Sequence, residues 1–299
     1  MTDASLRARL VRPPILVAPG VYDPLTSLIA EQAGFEALYV SGAAIAYTRL
    51  GRPDIGLVSM SEVVETVSLI RDRVRAHLIV DADTGYGNAL NAGRTVRMLE
   101  RAGASAIQIE DQEFPKRCGH LDDKALIPAS EMVGKIKAAL DARHSRETLI
   151  IARTDAIAVE GLEPAIVRAI SYRDAGADIL FVEAPKTRAE LQHIRPAVTD
   201  VPLMANMVEG GKTPPLAAAE LEAIGFSLVI FPGAIVRALA RTATDFYRSL
   251  ATHGTTEPFL KRMYDFSELN DVIGTPALIA LGKRYEAAAA PQGKKDQGK

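Results

Sequence analysis

The sequence predicts a (β/α)8 barrel of the TIM type. Eight short apolar runs of strand length alternate with eight amphipathic segments of helical length, and this alternation is typical of barrels built from strand–helix units. The apolar runs are continuous, as expected for parallel strands that are covered on both faces. A doubly wound open sheet is the second possibility, but eight units favour the closed barrel.

The elements follow one another in regular order along the chain. Several predicted helices end in Ala-Gly, as at Gly34 and Gly176, where a left-handed glycine would stop the helix. The predicted strands are Ile15–Val21, Ala37–Gly42, Leu78–Asp83, Ala106–Asp111, Leu149–Thr154, Ile179–Ala184, Pro202–Met207 and Ser227–Pro232. The predicted helices are Pro24–Ala33, Ser59–Arg73, Ala92–Ala102, Ala129–Ala142, Glu163–Ala175, Arg188–Val198, Pro214–Ile224 and Ala234–Ala251.

A further helical segment follows the eighth unit. It covers Glu257–Glu286, with an interruption at Gly274-Thr275-Pro276. A barrel does not need this segment, so we expect it to pack outside the barrel or on a neighbouring subunit. Residues 287–299 are rich in Gly, Gln, Pro and Lys and are predicted to be a disordered tail. We expect residues 1–286 to form one domain.

The composition excludes several classes of protein. Hydrophobic residues make up 48% of the chain and charged residues 24%, with a net charge of −2, so no basic surface predicts a nucleic-acid partner. One cysteine excludes an internal disulfide and fits a reducing compartment. No apolar run has the length of a signal peptide or a membrane span. We therefore expect a cytoplasmic protein with no membrane partner.

The only cysteine lies in the stretch Lys116-Arg117-Cys118-Gly119-His120. Single cysteines are most often buried as small hydrophobic residues. Here the loop is polar and contains glycine, and Lys116, Arg117 and a protonated His120 would each stabilise a thiolate. We therefore expect an accessible Cys118 with a lowered pKa, acting together with Lys116 and His120.

Two carboxylates end the third predicted strand, where a TIM barrel places its active site. Asp81 and Asp83 are two residues apart, so their side chains point to the same side of the strand. A divalent cation would relieve their repulsion, and Glu110 or Asp111 from the next strand would complete an oxygen-rich site. Such ligands favour Mg2+ or Mn2+ over Zn2+. The alternative is a pair of carboxylates held by helix caps or by Arg153.

Polar residues also end the remaining strands. Arg153 would bind a substrate carboxylate through its planar guanidinium group, or would form a structural ion pair with Glu183. Asn206 ends the seventh predicted strand. Ser41-Gly42, at the end of the second, offers backbone N–H groups for another carboxylate.

Two long loops border these strand ends. One covers residues 48–57 and contains Asp54, and the other covers residues 112–127 and contains Cys118. Both are longer than typical connections in α/β units. We expect them to close over the site as lids.

Four motifs resemble those of a known family. They are Asp81-Ala82-Asp83-Thr84-Gly85-Tyr86-Gly87, Ile109-Glu110-Asp111-Gln112, Lys116-Arg117-Cys118-Gly119-His120 and Ala152-Arg153-Thr154-Asp155. Together they resemble the isocitrate lyase/phosphoenolpyruvate mutase superfamily, over nearly the whole chain from Pro19 to Met207. The stretch with Cys118 is typical of the lyase branch, and the short chain resembles the 2-methylisocitrate lyases within it.

The resemblance implies a set of site residues. Asp81 and Asp83 would hold Mg2+, with Glu110 acting through water, and Asp54 would belong to a gating loop. Arg237 would bind a carboxylate. The other substrate-binding residues would be Ser41, Gly42, Cys118, Gly119, Arg153, Glu183 and Asn206. The family also implies a homotetramer in which the terminal helix is exchanged with a neighbouring subunit.

The resemblance further implies cleavage of a carbon–carbon bond in a 2-hydroxy di- or tricarboxylate. Tyr39 or a carboxylate near the metal would act as the base, and Cys118 would deliver a proton to carbon. Lys116, His120, Arg153 and Asn206 would stabilise the negative charge of the leaving fragment. With 2-methylisocitrate, the products would be pyruvate and succinate.

Two local differences leave the substrate open. The chain has Ser41-Gly42-Ala43 where 2-methylisocitrate lyases usually have Ser-Gly-Gly, and its residues 207–214 are closer to those of 2,3-dimethylmalate lyases. Oxaloacetate decarboxylase or phosphonopyruvate-type chemistry is a further alternative. A barrel that only binds or assembles is the non-enzymatic one.

Overall fold

The computed structural model describes residues 5–121 and 123–289. In that part of the chain, eight parallel strands form a closed barrel in which each strand pairs with the next and the eighth pairs with the first. The predicted (β/α)8 barrel is therefore confirmed, and the open sheet is wrong. The strands are β1 (Leu16–Val21), β2 (Ala37–Val40), β3 (His77–Asp81), β4 (Ala106–Glu110), β5 (Leu149–Thr154), β6 (Ile179–Val182), β7 (Leu203–Asn206) and β8 (Leu228–Phe231).

The helices begin where the sequence supplies caps. Asp23 caps α2, and Ser59 forms a reciprocal capping box with Glu62 at the start of α4. Asn88 caps α5, which therefore begins three residues before the predicted Ala92. The helices are α1 (Leu6–Leu10), α2 (Pro24–Gln32), α3 (Gly42–Ile45), α4 (Met60–Arg73), α5 (Ala89–Arg101), α6 (Ala129–Ala142), α7 (Leu162–Asp174), α8 (Arg188–Ala197), α9 (Ala218–Ile224), α10 (Ala234–His253), α11 (Phe266–Ile273) and α12 (Thr275–Ala289).

The core has two layers because successive side chains of a strand point to opposite faces. One apolar cluster, which includes Leu16, Ile79 and Ile151, fills the inside of the barrel. A larger cluster lies between the strands and the helices around them. Toward the carboxyl ends of the strands, the side chains that point into the barrel are polar instead of apolar. This end of the barrel is therefore lined with polar groups.

The connection after β2 differs from its prediction. The strand ends at Val40, because the Ser41 side chain accepts a hydrogen bond from the Ala44 backbone at 3.2 Å and starts α3. A π-helical turn over Ala46–Leu50 follows directly. Part of the predicted loop 48–57 is therefore helical.

The chain divides into two compact units, one up to Ala240 and one from Arg241. The second unit contains a 3-10 turn over Glu257–Arg262, then α11 and α12. Gly274 separates these helices with a left-handed φ of 79°, which confirms the predicted interruption. Helix α12 continues to Ala289, so the first three residues of the predicted tail are helical. The rest of that tail lies outside the described residues, and the single domain over 1–286 stays a prediction. None of the described helices is both long and apolar enough to cross a membrane.

Candidate active site

A narrow cavity opens at the carboxyl ends of the strands and brings most of the predicted site residues together. Its volume is about 50 Å³, which is small for a di- or tricarboxylate. The residues that line it are Tyr39, Ser41, Ala43, Tyr47, Asp54, Asp81, Cys118, Gly119, His120, Arg153, Glu183, Asn206, Val208, Pro232, Gly233 and Arg237.

Asp81 ends β3, so the predicted strand to Asp83 is two residues too long, and Asp83 follows with a left-handed φ of 47°. Both carboxylates are buried. Asp81 Oδ1 accepts a hydrogen bond from Gln108 Nε2 at 3.1 Å and from the Asp83 backbone at 3.2 Å. Gln108 in turn accepts a hydrogen bond from the Tyr39 hydroxyl at 2.9 Å. Burial, together with the neighbouring Asp81, raises the pKa of Asp83 to about 7 although Lys116 opposes this. Two carboxylates in so little water need a positive partner.

Lys116 supplies part of that positive charge. Its ammonium group binds two carboxylates, whereas we expected it to stabilise a Cys118 thiolate. Its Nζ lies 2.5 Å from Asp54 Oδ1 and 2.7 Å from Asp83 Oδ1. Although burial alone would lower the pKa of Lys116, these carboxylates raise it well above its usual value. The lysine is therefore a fixed cation that joins the loop of Asp54 to β3.

Glu110, rather than Asp111, points into the barrel. Both of its carboxylate oxygens are buried and accept no hydrogen bond from any residue that the structure describes, although Arg153 Nη1 lies 3.2 Å away. Burial raises the pKa of Glu110 well above its usual value, against the effect of Arg153. Asp111 points away from the cavity, where it accepts hydrogen bonds from Thr154 and Tyr172, each at 2.7 Å. Of the two carboxylates that the sequence offered, Glu110 is therefore the one that faces the site.

This donor set fits a hydrated divalent cation. Buried carboxylate oxygens without hydrogen-bond donors are costly, and both oxygens of Glu110 belong to that class. Asp83 Oδ1 differs, because the Lys116 ammonium group lies 2.7 Å from it. Among the described residues, no three His, Cys, Asp or Glu side chains converge closely enough to hold a metal directly. Two aspartates with Glu110 acting through water agree with that arrangement, because Mg2+ usually keeps several of its waters.

Arg153 is held by protein carboxylates on three sides. It donates to Asp155 through Nε at 2.9 Å and through Nη2 at 3.0 Å, and Nη2 lies 3.6 Å from Glu183. Burial would raise the pKa of Asp155, but Arg153 and Lys124 lower it to about 2. The ion pair with Glu183 that we expected as an alternative is present, and the guanidinium group still lines the cavity. Its role in binding substrate stays a prediction.

Cys118 lines the cavity but does not have the predicted lowered pKa. Burial raises the pKa of its thiol from the ordinary 9.0, as does Asp54, against a backbone hydrogen bond from His120 and the charge of Arg153. The expectation fails because Lys116 is turned toward Asp54 and Asp83, and because burial removes water from the thiolate. Cys118 is therefore a protonated thiol at neutral pH.

His120 is not the cation we expected either. Burial lowers its pKa although Glu183 opposes this. Its Nδ1 accepts a hydrogen bond from the Lys212 backbone at 3.0 Å, so the proton of the neutral ring is on Nε2. That nitrogen lies 3.5 Å from Glu183 Oε1, which leaves a neutral N–H donor at the cavity wall.

Gly119 allows the loop to approach Arg153 closely. A Cβ at this position would lie 2.5 Å from Arg153 Nη2 and 2.6 Å from Glu183 Cγ. Gly42 approaches the Asp81 carboxylate less closely, since a Cβ there would lie 3.2 Å from Asp81 Oδ2. A side chain at Gly119 would displace Arg153 or Glu183, whereas one at Gly42 would require a shift of only a few tenths of an ångström.

The remaining predicted residues also line the cavity. Asn206 Nδ2 donates to Glu183 at 3.0 Å, and its Oδ1 has no hydrogen-bond partner among the described residues. Arg237 Nη1 lies 3.0 Å from Glu209 Oε2. The Tyr39 hydroxyl remains protonated, because burial and then Asp81 raise its pKa well above the usual value.

Several residues of the site carried no clear sequence signal. Gln108 lies within an apolar run, Tyr47 lies in the π-helical turn over Ala46–Leu50, and Val208 follows β7. Only the fold brings Tyr47 and Val208 to the cavity. Asp155 did have a signal, since it directly follows Arg153-Thr154 at the tip of β5.

Comparisons with known proteins show the family to which this chain belongs. The sequence profile of a family described as phosphoenolpyruvate phosphomutase matches residues 6–251. A 2-methylisocitrate lyase of Aeropyrum pernix is 49% identical over 269 residues, which are 90% of this chain and 86% of the relative. The solved structure of a 2,3-dimethylmalate lyase has a TM-score of 0.90 and 35% identity, covering 98% of this chain and 99% of that one. A phosphonopyruvate hydrolase solved with oxalate and Mg2+ has a TM-score of 0.85 and 32% identity, covering 95% and 99%.

The match to the family covers more than half of the chain, and relatives that are similar over nearly its whole length are named lyases. The chain therefore belongs to the isocitrate lyase/phosphoenolpyruvate mutase superfamily and is a carbon–carbon lyase.

Proposed function

We propose that this lyase cleaves 2-methylisocitrate to pyruvate and succinate, with Mg2+ or Mn2+ as its cofactor. The observation that carries the proposal is one cavity in which the protonated Cys118 thiol, the Arg153 guanidinium group and the buried Asp81 face the same space. A proton donor, a cation and a metal carboxylate are the three groups that such a cleavage needs. The similarity to the 2-methylisocitrate lyase of Aeropyrum pernix supports this substrate.

Asp81 and Asp83 would hold the metal, with Glu110 binding its water shell. When bound, the metal would lower the pKa of the substrate's 2-hydroxyl group and would neutralise charge on the adjacent carboxylate. The phosphonopyruvate hydrolase solved with Mg2+ supports this cofactor. Removal of divalent ions with a chelator is expected to abolish cleavage, and Mg2+ should restore it.

The chain's own donors would stabilise the leaving fragment, which departs as a negatively charged enediolate. His120 presents a neutral Nε2–H, and Asn206 an amide, on the wall that also carries the Arg153 cation. Donors fixed in place before the reaction cost no reorganisation when the charge develops. Lys116, held by Asp54 and Asp83, would contribute its charge from the metal side.

Cys118 would then deliver its proton to the carbanionic carbon. A raised thiol pKa keeps the proton in place at neutral pH, which suits an acid better than the thiolate that the cationic loop predicted. The base that removes the 2-hydroxyl proton would be Tyr39 or a neighbouring carboxylate. The protonated state of Tyr39 and its hydrogen bond to Gln108 favour a carboxylate.

Replacing the thiol tests this assignment. Cys118→Ser is expected to lower kcat by about 10²- to 10⁴-fold, the usual contribution of a positioned acid, while binding of pyruvate in the presence of Mg2+ is unchanged. Near-native turnover by this variant would refute the role of Cys118 as acid.

A second candidate substrate is 2,3-dimethylmalate, and the pair Arg237–Glu209 favours it. This substrate has two carboxylates, whereas 2-methylisocitrate has three. Arg237, which would bind the third, is already paired with Glu209 at 3.0 Å. The structural similarity to a 2,3-dimethylmalate lyase agrees with this candidate.

A panel of both substrates, with oxaloacetate and phosphonopyruvate added, separates the candidates. If 2-methylisocitrate is the substrate, Arg237→Gln should lower its kcat/KM and leave that of 2,3-dimethylmalate nearly unchanged. Preferred turnover of oxaloacetate or phosphonopyruvate would refute both lyase assignments. No turnover of any of the four would favour a barrel that only binds or assembles.

We also propose that the protein is a cytoplasmic homotetramer. In α11 and α12, large apolar side chains are exposed to solvent, including Phe266 at 88% and Leu278 at 61%. Exposed apolar surface of this kind is typical of association sites. Sedimentation velocity of the full chain should show a tetramer, and a monomer at micromolar concentration would contradict the proposal.

A further inference from the structure

Lys124 is a buried cation for which the proposed reaction has no use. Its side chain is 1% exposed. The Nζ atom donates to the backbone carbonyl of Gly119 and lies 3.0 Å from Asp155 Oδ1. Burying an ammonium group is costly unless it is paired and hydrogen-bonded, so both contacts are needed to keep this lysine inside.

Residues 118–120 are each held by contacts from outside the stretch. The Cys118 backbone donates to the Asp54 carbonyl at 3.2 Å. His120 Nδ1 accepts from the Lys212 backbone at 3.0 Å, and its Nε2 lies 3.5 Å from Glu183. Lys124 holds the middle residue, Gly119, by its carbonyl and continues to Asp155, which directly follows β5.

Asp155, the other partner of Lys124, is a rigid point of the fold. Its carboxylate binds Arg153 through two hydrogen bonds, and its backbone N–H donates to Asp111 Oδ1 at 2.9 Å behind the barrel. The side chain is fully buried. A loop atom tied to Asp155 is therefore fixed relative to Arg153.

The charges around Arg153 also require Lys124. Glu110, Asp155 and Glu183 all lie within ion-pair distance of the guanidinium group. Lys124 supplies a second positive charge to this group of three carboxylates. Without it, Arg153 alone would face all three.

We infer that Lys124 is a positioning residue that holds Cys118 over the cavity by joining the Gly119 carbonyl to Asp155. The inference rests on the proposed role of Cys118. Lys124 is the contact that ties the middle of this stretch to the buried Asp155. It does not line the cavity itself and acts through Gly119, which does.

Lys124→Met tests this role in the full-length enzyme, because methionine keeps the apolar stem and removes the charge. Two quantities are measured: kcat and KM for the cleaved substrate, and the rate at which iodoacetamide alkylates Cys118. The chain has a single cysteine, so the mass increase reports that residue alone. Lys137→Met, which removes an exposed lysine of α6, is the matched control.

We expect Lys124→Met to lower kcat by about 10²-fold, the effect of a misplacement near 1 Å, with a smaller change in KM. Alkylation should be several-fold faster than in the wild type and in Lys137→Met. In Lys124→Ala, added n-propylammonium should restore part of kcat, whereas propanol should not. Restoration by the ammonium ion and not by the alcohol would show that the charge of Lys124 is the part of the side chain that is needed.

Wild-type kcat together with a wild-type alkylation rate in Lys124→Met would overturn the inference. If that variant does not fold, Lys124→Gln replaces it, with the same two measurements and the same criterion. The alkylation rate does not depend on the substrate. A wrong substrate therefore leaves the faster alkylation intact, whereas a wrong role for Lys124 leaves the alkylation rate unchanged.

Discussion

Gly119→Ala is the perturbation for which the structure makes the sharpest prediction. The added Cβ would lie 2.5 Å from Arg153 Nη2 and 2.6 Å from Glu183 Cγ, far inside van der Waals contact. Arg153 cannot move away freely, because two hydrogen bonds to Asp155 and the ion pair with Glu110 hold it. The loop must therefore move outward, and it carries Cys118 with it.

The expected loss of activity in Gly119→Ala follows from the usual free-energy cost of overpacking. One extra carbon in a well-packed site costs about 1–3 kcal/mol. If this cost falls on the closed position of the loop, the closed population decreases about 5- to 150-fold. We expect kcat/KM to fall by the same factor, while the midpoint of thermal unfolding changes little because the barrel core is untouched.

The assay compares Gly119→Ala with Gly134→Ala. Gly134 lies in α6, and a Cβ there would meet no atom within 4 Å. That control should keep wild-type kinetics and gain about 0.5–1 kcal/mol in stability, since alanine favours a helix more than glycine does. Wild-type kcat/KM in Gly119→Ala would refute the reasoning, because it would mean that Arg153 yields without cost.

Two further predictions follow from the thiol and from the network behind the barrel. The rate of Cys118 alkylation should rise with pH with a midpoint above 9.0, because burial raises the thiol pKa and only the thiolate reacts. A midpoint below 9.0 would show that the cations of its loop dominate over burial. Tyr172→Phe removes the hydroxyl that donates to Asp111 at 2.7 Å and should lower the free energy of unfolding by about 1.5–3 kcal/mol, with kcat/KM unchanged. Ser171→Ala in the same helix is the control for Tyr172→Phe, and equal stability of the two variants would contradict the value assigned to the hydrogen bond.

The sequence was sufficient for the barrel and for most residues of the site. Periodicity of apolar runs is a local property, so eight strand–helix units can be counted before any contact is known. The barrel then places every strand tip at one end. Asp81, Arg153 and Asn206 could therefore be assigned to one site from their positions alone.

The ends of the strands and the directions of their side chains were less predictable from the sequence. The end of β2 depends on the hydrogen bond between Ser41 and Ala44. This bond starts α3 at Ser41, so the strand does not continue through that residue. The alternative between Glu110 and Asp111 depended on which residue of β4 faces inward. A shift of one residue reverses that direction, and the sequence alone left it open.

The charge state of the Cys118 loop was decided by the tertiary structure alone. From the sequence, Lys116 and His120 are near neighbours of the thiol and predict a thiolate. In the fold, Lys116 binds Asp54 and Asp83, His120 is neutral, and burial raises the thiol pKa. The sequence by itself determined the barrel and the residue types at its strand tips, because both follow from local pattern. Which charges meet, and which group keeps its proton, depends on distance and burial, and these exist only once the chain has folded.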